Sequence, residues 1–211
     1  MPDFLSIVAN ASHNLLWIVI KGGMVMIPLL ASSIIALTVI VECLYFWGRL
    51  RSRAAYHSIL TLVAEVDLPQ AMQVASTARH PVARVLYTGI AAKHLSPGAA
   101  MQAAAQTELG QARRHLPILD TVITLAPLLG LLGTITGMIG AFGIVSEAGL
   151  GQPQAITGGI AEALIATATG LLIAIMTLIP YNYLRAKVEQ LTDVMEEQAT
   201  CLELLLGKRE E

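Results

Sequence analysis

The stretch LAPLLGLLGTITGMIG, residues 125–140, is apolar enough to lie in lipid, yet four of its sixteen residues are glycine and two are threonine. Each glycine costs a helix about 1 kcal/mol relative to alanine. Apolar side chains gain little by leaving acyl chains, so membrane helices associate mainly through close backbone contact, which small residues permit. We therefore predict that this stretch is a membrane helix with a second helix packed closely against it.

The composition of the whole chain agrees with a membrane protein. Of 211 residues, 55% are hydrophobic and 13% are charged, and the mean hydropathy is +0.66. Ordinary soluble domains carry roughly 25% charged residues. Three stretches reach the length of about 20 apolar residues that a transmembrane helix needs. The sequence predicts an all-α integral membrane protein with transmembrane helices at 23–47, 118–145 and 156–183.

The distribution of Lys and Arg predicts the orientation. Of the thirteen basic residues, eight lie between the first and second spans, none between the second and third, and four after the third. Basic residues that flank spans stay on the cytoplasmic side. We expect the N-terminal segment 1–22 and the loop 146–155 to be periplasmic. Segment 48–117 and the C-terminal helix 184–211 are then long cytoplasmic helical extensions.

Segment 48–117 is predicted to be helical, with breaks at DLPQ (67–70), RHPV (79–82) and LSPG (95–98). Ser96 before Pro97 is a typical helix start. We expect this segment to extend the membrane helices rather than to form a separate domain.

The C-terminal helix carries a seven-residue repeat with one polar member. Two interpretations are open: the helices of neighbouring subunits pack along this seam, which we prefer, or the seam covers segment 48–117 of the same chain. The seam residues are Leu184, Val188, Leu191, Met195, Gln198, Leu202 and Leu205.

Small residues recur at three- and four-residue steps in the second and third spans, which places each set on one helix face. We predict that both sets form packing seams. They are Gly130, Gly133, Gly137 and Gly140 in the second span, and Gly159, Ala163, Ala166, Gly170, Ala174 and Thr177 in the third.

Polar residues in the spans are candidates for an ion path. Thr134 and Thr167 each lie two or three residues to the outer side of their span's midpoint, about 4 Å at 1.5 Å rise per residue, and so at one level. Glu162 carries a cost of at least roughly 2.5–3.5 kcal/mol inside a span. It is either part of an ion path or partner contact, or a protonated structural group. Glu42 lies near Arg49, where snorkelling or pairing is expected.

The motifs APLLGLLGTITGMIGAF (126–142), GGIAEALIATATGLLIAI (158–175) and YN (181–182) resemble the ExbB/TolQ/MotA family of ion-driven motor subunits. GGMVMIPLLASSIIALTVIVE (22–42) is similar to the family's first span. MotA-like stator subunits have four spans and a larger cytoplasmic part. The three-span layout therefore resembles the ExbB and TolQ branch more.

The resemblance implies a pentamer in the bacterial inner membrane whose second and third helices enclose the single spans of an ExbD- or TolR-like dimer. Ion flow then drives a TonB- or TolA-like protein for transport at, or maintenance of, the outer membrane. The resemblance makes Thr134 and Thr167 pore-lining and identifies Glu162 as the AEAL glutamate. Thr136 and Thr169 stand where many relatives have apolar residues, which implies a more polar pore. Whether the coupling ion is a proton or sodium is therefore left open.

Neither the second nor the third span has a carboxylate at its middle, so a partner must supply the titratable group. In the family that the chain resembles, that group is an aspartate of the ExbD-like helix.

The alternatives to a motor subunit are a passive scaffold that conducts no ions and a MotA-like stator subunit. An enzyme is not indicated, because the histidines lack metal-ligand spacing and no nucleophile has an arranged base. The sequence likewise indicates no cofactor, no metal site and no nucleic-acid surface.

Overall fold

The computed structural model describes residues 22–50, 54–65, 67–78, 80–148 and 153–207. Within these ranges the chain forms seven helices and no strand, so the all-α prediction is confirmed. The predicted N-terminal segment, apart from Gly22, and residues 149–152 of the predicted loop lie outside the described residues. The helices are α1 (Met26–Arg49), α2 (Ala54–Ala64), α3 (Leu68–Thr77), α4 (Pro81–Ala91), α5 (Pro97–Arg113), α6 (Leu116–Ala148) and α7 (Pro153–Gly207).

The three predicted breaks in segment 48–117 are confirmed as helix starts. The Asp67 carboxylate accepts a 3.1 Å hydrogen bond from the backbone N–H of Gln70 at the start of α3. His80 Nδ1 accepts a 3.3 Å bond from the Val82 N–H at the start of α4. Ser96 is the N-cap residue of α5, although its side chain makes no capping bond. A proline in the first turn of each helix fits there, because the first helical N–H groups have no intrahelical acceptor.

Three helical runs are long and apolar enough to cross a membrane: Met26–Gly48, Pro97–Ile144 and Ile156–Gly207. They cover the first predicted span except residues 23–25, the second except residue 145, and all of the third. The helix of the second span extends beyond its predicted limits, from Leu116 to Ala148. That of the third continues without a break through 55 residues, so it includes the predicted C-terminal helix as far as Gly207, and residues 208–211 lie outside the described residues.

The chain divides into two compact units. The first, which we call the span unit, comprises Met1–Ile40 and Ile118–Tyr181. In its described part, α6 and α7 pack against each other, and Met26 and Leu29 of α1 are buried with Ala126 of α6. Many of its large side chains are exposed, including Ile139 at 67% and Ile179 at 66%. Such an apolar surface suits contact with lipid or with other spans.

The second unit, the bundle unit, comprises Val41–Pro117 and Asn182–Glu211. It has its own hydrophobic core, in which residues such as Ile59, Leu86 and Met101 are buried with Met195 and Leu202. Segment 48–117 therefore shares one compact unit with the end of α1 and the C-terminal helix. Segment 48–117 joins the C-terminal helix because four short amphipathic helices can bury their apolar faces against its seam.

The same core decides between the two interpretations of the C-terminal seam. Leu184, Val188 and Met195 are at most 2% exposed, and Gln198 is 5% exposed, within a single chain. Val188, Met195 and Leu202 belong to the core shared with segment 48–117. The preferred interpretation, packing between subunits along this seam, is thus wrong, because the side chains are already covered by their own chain.

Candidate functional site

A seam of small residues joins α6 and α7 in the span unit. A Cβ built on Gly133 would lie 2.5 Å from the Cβ of Ala166, and one built on Gly137 would lie 3.0 Å from the Cβ of Ala163. A Cβ on Gly170 would overlap the backbone oxygen of Ala126. The two backbones are therefore in contact over several turns, which is the close approach that helix association in lipid requires.

The stripe on α6 departs from the prediction at one position. A Cβ on Gly140 would meet no atom of the described residues within 4 Å. Its neighbour Ala141 is 2% exposed, and a Cβ on Gly159 of α7 would lie 2.8 Å from the Ala141 Cβ. The face of α6 that contacts α7 thus continues from Gly137 to Ala141, four residues on, rather than to Gly140, three residues on. Gly140 is exposed and packs against none of the described residues.

The threonine hydroxyls differ in what they bind. Thr134 donates a 2.6 Å hydrogen bond to the Leu131 carbonyl of its own helix. Thr136 and Thr169 also donate to carbonyls within their own helices. Thr167 instead donates a 2.9 Å bond to the Gly130 carbonyl on the neighbouring helix. It is therefore both a packing residue and a candidate site residue.

Thr134 and Thr167 lie at nearly one level of the helix pair. The opposed residues Gly133 and Ala166 each directly precede one of them. The helices α6 and α7 run antiparallel, so each threonine lies one residue from this opposed pair in the opposite direction along the axis. At 1.5 Å rise per residue, the two threonines are about 3 Å apart along the axis. Both side chains are half-buried.

The Glu162 carboxyl group lies against the backbone just before α1. Gly23 has φ of +72°, and a Cβ there would overlap Glu162 Oε1 and lie 2.7 Å from its Cδ. Gly23 supplies the first carbonyl that α1 uses, through a 3.1 Å bond from the Met26 N–H. Sequence reasoning missed this contact, because nothing in the spacing of Gly23 and Glu162 links them. The half-buried Glu162 side chain therefore lies against the Gly23 backbone, whichever of its two predicted roles applies.

Asp120, near the start of α6, is a further acidic residue that sequence reasoning passed over. It is exposed, and its carboxylate makes no hydrogen bond or ion pair with the residues that the structure describes. Residues 120, 124, 127, 131 and 134 follow steps of four and three, so Asp120, Thr124 and Thr134 share one face of α6. The spacing alone contains this signal.

Glu42 pairs with a residue that was not expected. Its Oε2 lies 3.4 Å from Nδ1 of His115, which precedes α6, so the two form an ion pair when the histidine is protonated. The side chain of Arg49, the expected neighbour, lies outside the described residues. Across the described part of the chain, no group of three or more His, Cys, Asp or Glu side chains is arranged to hold a metal ion.

In the part of the chain that the structure describes, an all-helical fold, three helices long and apolar enough to cross a membrane and a tight glycine seam point to a multi-pass membrane protein. This chain belongs to the MotA/TolQ/ExbB proton channel family, whose model matches residues 77–197. That family is one of channel and transport subunits rather than enzymes.

The similar proteins include members of the expected branch, which confirms the resemblance. The biopolymer transport protein ExbB-like 1 of Synechocystis is 40% identical over 88% of this chain and 76% of its own length. ExbB-like 3 of Synechocystis is 34% identical over 87% of this chain and 91% of its own length. The Tol-Pal system protein TolQ of Haemophilus influenzae is 42% identical over 42% of this chain and 39% of its own length.

Proposed function

We propose that the chain is an ion-conducting motor subunit of the bacterial inner membrane that works with an ExbD- or TolR-like partner. It uses a proton or sodium gradient to energise a TonB- or TolA-like protein for transport at, or maintenance of, the outer membrane. Family membership and relatives named as biopolymer transport and Tol-Pal proteins support this proposal. The observation that carries it is the Thr167–Gly130 contact at nearly the level of Thr134.

In the proposed assembly, five copies place α6 and α7 around a central pore that holds the spans of a partner dimer. The N-terminus faces the periplasm and the C-terminus faces the cytoplasm. Thr134 and Thr167 line the ion path, Thr136 and Thr169 add polarity, and Glu162 lies on the periplasmic side. Asp120, on the Thr134 face, provides a carboxylate toward the cytoplasmic end.

The hydrogen bonds of Thr134 and Thr167 decide what their hydroxyl groups can offer to the proposed ion path. Each hydroxyl hydrogen is directed to a backbone carbonyl. A hydroxyl that donates its single hydrogen retains acceptor lone pairs on the oxygen. Thr134 and Thr167 therefore offer acceptors to a protonated carboxyl of the partner, to hydronium or to Na⁺. The chain supplies the acceptors and the partner supplies the titrating acid.

The test combines Thr134→Val and Thr167→Val in cells that also produce the ExbD- or TolR-like partner. We expect gradient-dependent activity to be lost while the purified complex keeps its native mass. Thr38→Val is the matched control, because Thr38 is an exposed threonine of α1 whose hydroxyl also donates to its own helix, at 2.8 Å from the Ile34 oxygen. Full activity of the double variant would refute the ion path.

The α6–α7 seam itself favours a second candidate, a passive scaffold. Gly133 and Gly137 bring the backbones together without any need for conduction. A scaffold predicts that the double threonine variant is fully active and that Gly133→Leu destroys assembly. The motor subunit predicts loss of function in both variants, so the threonine variant separates the two.

A further inference from the structure

The bundle unit contains an open cavity of about 590 Å³ between the end of α1, the start of α4 and the part of α7 that follows Tyr181. This volume falls within the roughly 300–1,000 Å³ typical of ligand sites. Its walls combine aliphatic, aromatic and cationic side chains, among them Leu44, Trp47, His80, Tyr183, Lys187 and Leu191. None of the described residues that line the cavity is acidic.

Lys187 is the principal charge of this cavity. Its Nζ lies 5.5 Å from the centroid of the Tyr183 ring and 3.2 Å from Oε1 of Gln190. In the described part of the chain, no carboxylate lies within 4 Å of this ammonium group. The nearby Glu189 is bonded instead to Arg185, at 3.1 Å. The ammonium is therefore oriented by neutral groups and retains its capacity to bind an anion.

The position of the cavity indicates which anion. Leu44 and Trp47 belong to the candidate span Met26–Gly48, near its C-terminal end. Tyr183 follows the apolar part of α7 directly. Trp and Tyr favour the boundary between acyl chains and headgroups. Leu44, Leu191 and Val194 provide an aliphatic wall beside the charge. A soluble anion would use Lys187 but would gain nothing from this wall.

We propose that the cavity binds the headgroup of an anionic phospholipid. In this arrangement the lipid phosphate contacts Lys187. The rings of Trp47 and Tyr183 lie beside the glycerol, and the first acyl carbons pack on Leu44. Basic pockets between membrane helices on the cytoplasmic side are general binding sites for anionic lipid headgroups. The proposal requires neither ion conduction nor the partner protein, so it is independent of the function proposed above.

The test uses the purified full-length protein in detergent, without the partner. Native mass spectrometry measures retention of phosphatidylglycerol and phosphatidylcholine, each added at the same concentration, and a parallel titration uses glycerol phosphate. We expect phosphatidylglycerol to be retained at least about tenfold better than phosphatidylcholine, a difference of about 1.4 kcal/mol. Glycerol phosphate should bind far more weakly than the lipid, because it has no acyl carbons for the aliphatic wall.

Variants assign the site. Lys187→Gln should lose the preference for phosphatidylglycerol, and Lys187→Arg should keep it. Lys93 lies outside the cavity, so Lys93→Gln should not change the preference. An unchanged melting temperature of Lys187→Gln would exclude unfolding as the cause. Retention of the preference in Lys187→Gln, equal retention of both lipids, or equally strong binding of glycerol phosphate would each overturn the proposal.

Discussion

The hydroxyl of Thr167 on α7 donates a 2.9 Å hydrogen bond to the backbone oxygen of Gly130 on α6, 37 residues earlier in the chain. A Cβ on Gly130 would lie 3.0 Å from the Cα of Thr167. The absence of a side chain at Gly130 is therefore what lets this hydroxyl reach a backbone carbonyl on another helix. The same contact ties a proposed ion-path residue to the packing seam.

Thr167→Val removes the interhelical bond, whereas Thr167→Ser keeps it. Hydrogen bonds between membrane helices contribute about 0.6 kcal/mol on average. We expect Thr167→Val to assemble but to lose gradient-dependent activity, and Thr167→Ser to keep most of it. Activity assays beside native gels measure both effects. A Thr167→Ser variant as inactive as Thr167→Val would show that the methyl group, rather than the hydroxyl, matters.

Gly170→Ala should destabilise the protein. The added Cβ would overlap the Ala126 backbone oxygen and lie 3.1 Å from the Gly130 Cα, and backbone atoms cannot move aside cheaply. We expect a loss of about 1–3 kcal/mol, the usual cost of overpacking, which exceeds the roughly 1 kcal/mol gained in helix propensity.

Gly140→Ala is the matched control, because a Cβ there meets none of the described atoms within 4 Å. We expect it to be neutral or stabilising. Thermal unfolding of the detergent-purified variants measures the difference, and a Gly170→Ala melting temperature at or above that of Gly140→Ala would contradict the seam geometry.

Gly23→Ala tests the contact with Glu162. Alanine at φ of +72° is strained by roughly 1–2 kcal/mol, and its Cβ would also overlap the carboxylate. We expect the melting temperature to fall and then to recover in part in the double variant Gly23→Ala/Glu162→Ala, because only the overlap is relieved. Purely additive effects of the two substitutions would show that Glu162 does not lie on Gly23.

Met195→Ala should destabilise the bundle unit. Met195 is 1% exposed in the core, so truncation leaves a cavity and costs about 2–5 kcal/mol. Leu204→Ala, at an exposed position on the same helix, is the control and should change stability by less than about 0.5 kcal/mol. Chemical denaturation measures both. If Leu204→Ala lowers the stability by more than this expected amount, another subunit must cover the exposed side of α7.

Gln198→Met should leave the bundle unit equally stable or stabilise it. Gln198 is 5% exposed, and its Oε1 has no hydrogen-bond partner among the described residues. An unpaired buried amide oxygen costs about 1–3 kcal/mol, and methionine has a similar shape without that group. The same denaturation assay measures the result. Clear destabilisation would indicate that the amide makes a bond through a buried water.

Much of the fold followed from local sequence. The span helices, the helix starts at Leu68, Pro81 and Pro97, and the small-residue faces of α6 and α7 depend on apolar length, capping and periodicity. The seam residues Gly133, Ala166 and Gly170 could be named because three- and four-residue spacing defines a helix face. Within the described residues, Ala141 rather than Gly140 contacts α7. Three- and four-residue steps are equally compatible with one helix face, and only the crossing of the two helices selects between them.

The amino-acid sequence by itself determined the membrane class, the three candidate spans, the family motifs and the residues that form helix faces, because hydropathy, capping and periodicity act over neighbouring residues. Only the tertiary structure decided that Thr167 bonds to Gly130, that Glu162 lies on Gly23, and that the C-terminal seam is buried by its own chain. Each of these contacts joins residues distant in sequence. Their choice depends on the register and rotation of packed helices, which no local pattern specifies.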